Sequence, residues 1–188
     1  VGDHACPYCN EHDCITGYND LETLDPELAK EWSPNNSRPA SKIWRDGKIS
    51  GLWICPDCGG EYWHYVSDRE AGDNACPYCR NRKALAGLNS LADIKPELVP
   101  EWSPNNDVAP DEVTATASRT ALWICPECGG EYPYSVRDRK VGDCVCPYCN
   151  NKKVLPGLNS LADIKPELIS EWSPNNDVAP DEVTATAS

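Results

Sequence analysis

Residues 122–149 read LWICPECGGEYPYSVRDRKVGDCVCPYC, and residues 52–79 repeat the pattern as LWICPDCGGEYWHYVSDREAGDNACPYC. Each stretch holds a Cys-Pro-x-Cys-Gly-Gly knuckle, 17 intervening residues and a closing Cys-Pro-Tyr-Cys. Two Cys-x-x-Cys pairs at this separation are the ligand pattern of a four-thiolate zinc site. The quartets are Cys55, Cys58, Cys76 and Cys79, then Cys125, Cys128, Cys146 and Cys149. A knuckle must double back so that two sulfurs converge, and glycine supplies the left-handed backbone for that turn. The second pair is expected at a helix start, where the positive end of the helix dipole favours thiolate. Four soft anionic sulfurs suit tetrahedral Zn2+ and leave no open position, so the sites read as structural and not catalytic. A disulfide within a Cys-x-x-Cys pair would close a tiny loop and constrain little. A four-thiolate iron site would use the same ligands.

On either side of these quartets the chain is a repeat of period 70. Residues 89–118 recur at 159–188 with only Val99 changed to Ile169 and Pro100 to Ser170, and a diverged copy, DLETLDPELAKEWSPNN, begins at Asp20. The expected organisation is the tail of one unit (1–18), whole units at 19–88 and 89–158, and the front half of a further unit (159–188). With both ends cut mid-repeat and no Met in the chain, the sequence reads as an internal piece of something longer.

Each unit reads as a small α+β module. Ser90 with Asp93 is a helix-start pattern, and Pro96 fits the first turn of a short helix over 96–102 that puts Leu98 and Trp102 on one face, as Leu28 and Trp32 fall in the earlier copy. The run Ser103-Pro104-Asn105-Asn106 is turn chemistry. Residues 120–125 and 131–136 read as a hairpin. Cys146-Pro147-Tyr148-Cys149 is expected to open a second helix that exits by Gly157.

The strings quoted, together with SLADIKPELVPEWSPNND before the second, resemble the probable zinc-ribbon (treble-clef) repeat family of bacterial and viral proteins. That family's pattern runs Ser-Leu, a Pro-Glu-Leu…Glu-Trp helix, Trp-x-Cys-x-x-Cys-Gly and a closing Cys-Pro-x-Cys. The resemblance covers both whole and both partial units. It implies a treble-clef module of knuckle, hairpin and a helix whose first turn gives the last two ligands, used in tandem.

Twelve Cys, no Phe and no Met leave the large apolar payload to seven Trp, eight Tyr and the aliphatics, thin for one large core. Several small cores held by metal are expected, with zinc binding and folding one event. The formal charge of −13 repels phosphate backbones over most of the surface, and no apolar run approaches the roughly 18 residues of a membrane span. The acidity sits in the front halves; residues 159–188 carry one Lys against six carboxylates.

Among residues that could act outside the quartets, Arg69, Arg137 and Arg139 precede the second Cys pair and could touch phosphate, against the plainer reading of a solvated loop. Trp53, Trp123, Trp32, Trp102 and Trp172 are expected to form mini-cores beside the metal. Tyr78 and Tyr148, between ligands, read equally as sulfur shields or exposed contacts. His64 aligns with Tyr134 and is no required ligand, and Cys144 reads as a spare thiol. At the start, Cys6 and Cys9 correspond to Cys76 and Cys79 without their knuckle, and with Cys14 and His4 or His12 they could form a third, local zinc site. No histidine constellation recurs between units, and thiolates held by zinc are lost as nucleophiles, so the sequence reads as non-enzymatic. The leading expectation is a tandem array of four-cysteine zinc modules, a binding or spacing scaffold for protein partners in a cytoplasmic setting. The alternatives are a nucleic-acid-binding array beside a DNA-acting enzyme, and an extracellular repeat stalk that reduced thiols fit poorly.

Overall fold

The computed structural model describes residues 14–73 and 75–186, which divide into two compact units between Leu88 and Asn89. In the first, a single turn α1 (Leu21–Leu24) is capped by Asp20, whose carboxylate accepts the Thr23 N–H at 3.0 Å. A second turn, α2 (Pro26–Ala29), follows at once with Pro at its first position. The chain then reaches the antiparallel hairpin β1 (Ser50–Ile54) and β2 (Glu61–Tyr65), in which Trp53 faces Tyr62 and Leu52 faces Trp63.

The second unit repeats this plan with α3 (Leu91–Ile94), a 3-10 helix (Pro96–Glu101) and the hairpin β3 (Thr120–Ile124) and β4 (Glu131–Ser135). It continues into α4 (Leu161–Ile164) and another 3-10 helix (Pro166–Glu171). The expected hairpin strands and the Ser90–Asp93 capping box are present.

The helix expected over 96–102 is there in place but wound as 3-10. Pro100 is not the reason, because Ser170 stands at that position in an equally 3-10 copy. The difference lies at the cap. Asp25 accepts the Leu28 N–H on its side chain and the Ala29 N–H on its carbonyl, an α-type bond, whereas Lys95 and Lys165 offer no side-chain acceptor and their carbonyls take the nearer N–H of Leu98 and Leu168. Lys95 has a different use. Its ammonium donates to the carbonyls of Val136, Arg137 and Arg139 (3.3, 3.2 and 2.8 Å), a post held in the first unit by Arg45, which donates to the carbonyls of Val66 and Arg69.

Each core centres on a buried tryptophan. Trp53 and Trp123 are fully buried, donate their indole N–H to the carbonyls of His64 and Tyr134, and meet Trp32 and Trp102 edge-on at 4.9 and 5.1 Å. Leu21, Leu28, Ile43 and Val66 surround the first pair, and Leu91, Leu98, Val113 and Val136 the second. The Ser-Pro-Asn-Asn run does more than turn the chain. The Asn36 side-chain amide both donates to the Leu52 carbonyl (2.7 Å) and accepts its N–H (2.9 Å), standing in for a strand along the free edge of β1, and Asn106 does the same for Leu122.

The second helix is a correction. After Cys76 and Cys146 the chain makes one turn and stops, because Asn81 and Asn151 take left-handed backbone (φ 54° and 53°). Arg82 N–H then bonds Pro77 O at 2.8 Å and Asn81 N–H bonds Tyr78 O at 3.0 Å, the paired bonds that close a helix C-terminus. Asparagine tolerates this conformation well enough to end the helix several residues before Gly157.

Candidate metal centre

Cys55 follows β1 directly, and its knuckle is closed from both sides: its N–H donates to Gly60 O (3.0 Å) and its carbonyl accepts from Gly59 N–H (2.8 Å). The two glycines serve different ends. Gly59 has φ 70°, the left-handed turn that side chains resist, while a Cβ on Gly60 would sit 2.6 Å from the Tyr78 ring. Tyr78 lies against this glycine with its hydroxyl donating to Glu61 O (2.7 Å), and Tyr148 matches it at Glu131 O (2.9 Å). Both tyrosines thus pin the closing Cys pair to the hairpin. Cys76 and Cys79 come from the single turn that follows.

The four sulfurs of each quartet lie within 4.8 Å of one another. Cys55 Sγ is 3.7 Å from Cys79 Sγ, Cys58 is 3.6 Å from Cys76, and the second quartet gives 3.6 and 3.7 Å for the same pairs. A tetrahedron with Zn–S bonds of about 2.3 Å has S···S edges of about 3.8 Å, while a disulfide would need about 2.0 Å. The donor set and spacing fit one tetrahedral zinc ion per quartet. In each, one member of each pair is buried (Cys55, Cys76; Cys125, Cys146) and the other half-buried.

Four thiols this close cannot all ionise without a cation. Burial opposes ionisation of Cys55, but hydrogen bonds from the backbone N–H groups of Cys58 and Asp57 and from the Cys58 and Cys76 thiols together bring it below its ordinary value. Cys79 and Cys149 are pushed far up, by burial first and then by the neighbouring thiols. A bound dication resolves this conflict by replacing the protons.

Arg69 and Arg139 are neither phosphate contacts nor part of a solvated loop, because both are buried. Arg69 ion-pairs with Glu31 and Asp73 and lies 5.1 Å from the Trp53 ring centre and 5.7 Å from that of Tyr62. Arg139 pairs with Glu101, donates to the carbonyls of Lys140 and Asp143, and sits 5.9 Å from the Trp123 ring centre. Each arginine ties the front half, the hairpin and the loop that leads to the second Cys pair. The Glu of Glu-Trp and this Arg recur 38 residues apart in both units, the one signal in the sequence that could have exposed the pairing. Arg137 is exposed, beside Asp138.

Of the third site, His4, Cys6, Cys9 and His12 lie outside the described residues, and Cys14 joins no cluster of metal-ligating side chains within them. Burial, with the nearby Asp20 charge, raises the Cys14 thiol above its ordinary value. Cys144 is exposed and belongs to neither quartet.

A knuckle-bearing hairpin and a single tight turn, each giving two thiolates to one closed site, define a zinc finger of the treble-clef type. The chain belongs to the family described as a probable treble clef zinc finger domain, which matches it twice in tandem, at residues 28–82 and 98–152. It is also similar to an uncharacterised protein of Acanthamoeba polyphaga mimivirus, 24% identical over 152 residues that span 72% of this chain and 36% of that protein. The chain therefore covers little more than a third of this relative's length. No helix among the described residues is long and apolar enough to cross a membrane.

Proposed function

We propose that this array of zinc modules is a non-enzymatic scaffold that binds or spaces protein partners in the cytoplasm, as part of a larger protein. The observation that carries the reading is the inward use of each unit's reactive groups. The eight cysteines close on metal, and Arg69 and Arg139 are spent on internal ion pairs. What remains outside is net acidic and repeated at fixed period, which suits display of similar faces by successive units. Each four-thiolate zinc centre adds a formal −2 to a chain already at −13, and burial of two arginines removes cations that a phosphate-tracking surface would need. The zinc-loaded chain should fail to shift duplex or single-stranded DNA at physiological salt while retaining peptide or protein ligands in a display selection. DNA binding at about micromolar Kd, with a steep salt slope and lost on reversing the charge of Arg137, would replace this reading with a nucleic-acid array.

A further inference from the structure

We propose that the outer edge of β2 in the first unit is a docking edge for an extended segment of a partner polypeptide, one that the second unit closes with Pro133. The proposal rests on the protein-scaffold reading and names where and how a partner is held.

The hydrogen bonds that bracket the hairpin set its phase. Cys55 N–H bonds Gly60 O at one end and Val66 N–H bonds Ile49 O at the other, at 3.0 and 2.9 Å. By the alternation of an antiparallel ladder, Tyr62 and His64 then turn their backbone groups to β1, and Glu61, Trp63 and Tyr65 turn theirs outward. The far edge of β1 is taken, with Ser33 N–H on Leu52 O and Ile54 N–H on Glu31 O. On the outer edge of β2, Glu61 O holds the Tyr78 hydroxyl and Tyr65 O accepts from Asp68. Between them the N–H and C=O of Trp63 have no partner among the described residues. An unpaired donor and acceptor on an edge strand form a template for another strand.

The side chains there are unusual for a free surface. Trp63 is 67% exposed, Tyr65 55% and Ile49 44%. The second unit has the same hairpin register but Pro133, Ser135 and Arg119 at these positions. Proline has no N–H to offer, so the same edge is blocked, and Arg119 pairs with Asp107 where the first unit has Ile49 and Ser37. One scaffold thus carries an open and a closed version of one edge.

The chemistry of the edge chooses the occupant. A donor and acceptor on one residue of an extended strand match a peptide backbone, while a nucleic-acid strand has no such ladder to offer. Trp63 and Tyr65 project on one face two residues apart, so they fit apolar or aromatic side chains at alternate positions of the incoming strand. Trp63 also lines a cleft of about 510 Å³ with Trp32, whose single charged lining residue is Arg38. That favours an acidic side chain over a basic one.

The test is selection of a displayed library of linear peptides, about twelve residues each, on the full zinc-loaded chain, followed by titration of the enriched peptides. Enriched sequences should alternate apolar residues and carry acid, and Trp63→Pro should weaken them by about tenfold or more. Because the fold already holds Pro133 at this position, the variant should keep two zinc ions. Hydrogen exchange at the Trp63 N–H should slow on binding. Peptides that bind Trp63→Pro unchanged overturn the edge and leave the scaffold reading standing. No enrichment also overturns the edge, and if oligothymidylate binds instead, both readings fall. A concentration-dependent dimer in sedimentation, abolished by Trp63→Pro, would give the edge to a second copy of this chain and overturn the partner assignment.

Discussion

Residues 89–118 and 159–188 differ at two positions, yet the first is a packed front half, while among the described residues of the second no hydrophobic side chain is buried. Their local structure is the same. Ser90 and Ser160 build identical capping boxes, both segments wind as 3-10 after the lysine, and each makes an isolated bridge, Ser90 to Thr114 and Ser160 to Thr184. Trp102 and Trp172 even donate to matching carbonyls, Val108 and Val178, at 3.1 Å. Burial separates them. Leu91 and Leu98 are fully buried, Leu161 and Leu168 only half, and Ser103 is buried where Ser173 is exposed. The first segment has β3 and β4 to pack against, with Trp123 edge-on to Trp102 and Glu131 accepting from Ser103 and Asn105. Among the described residues no hairpin packs against the second. Capping and turn chemistry thus set the shape of a front half, while the metal-held hairpin supplies its stability.

The strongest way to break the contrast is to remove the metal. A tight chelator should collapse both hairpins and leave 89–118 as poorly protected as 159–188, since structural zinc binding supplies on the order of 10 kcal/mol of folding free energy. Hydrogen exchange at the two segments checks this, and elemental analysis beforehand should give two zinc ions per chain. Acidification should do the same. Zinc holds its ligands as thiolates, so their pKa values in the folded, loaded state lie below those of the unfolded chain, and the stabilisation is present at higher pH and lost as pH falls.

Next in size, Trp123→Ala should cost about 3–5 kcal/mol in the second unit and release Leu91 and Leu98 while leaving zinc in the first, as read by chelator titration and chemical denaturation. Arg139→Ala should cost about 3 kcal/mol because it leaves Glu101 without its partner against the core, whereas exposed Arg137→Ala should stay within about 0.5 kcal/mol. The smallest effect is local. Lys165→Asp should restore the Asp25-type cap and turn the 166–171 helix from 3-10 to α, with a gain of about 1 kcal/mol or less, visible in Cα chemical shifts.

The ligand quartets, the hairpins, the period and the cap at Ser90 were legible in the residues because each depends on close sequence spacing or on a short local pattern. The early stop of the second helix has a cause just as local, since Asn151 takes left-handed backbone (φ 53°), which asparagine tolerates better than most residues. Other features have no local sign. That Arg69 and Arg139 lie inside, that Asn36 serves as a strand edge, and that Trp63 faces an empty edge while Pro133 seals its counterpart all depend on contacts between residues far apart in the chain. A charged side chain reads as surface until its partner and its aromatic neighbour are known, because only their combined attraction offsets the cost of leaving water. Where the thiolates gather and how each short segment turns follow from neighbouring residues alone. Which polar groups are buried and which edge stays open follow only from the assembled fold, since burial and pairing belong to the whole and not to any one stretch.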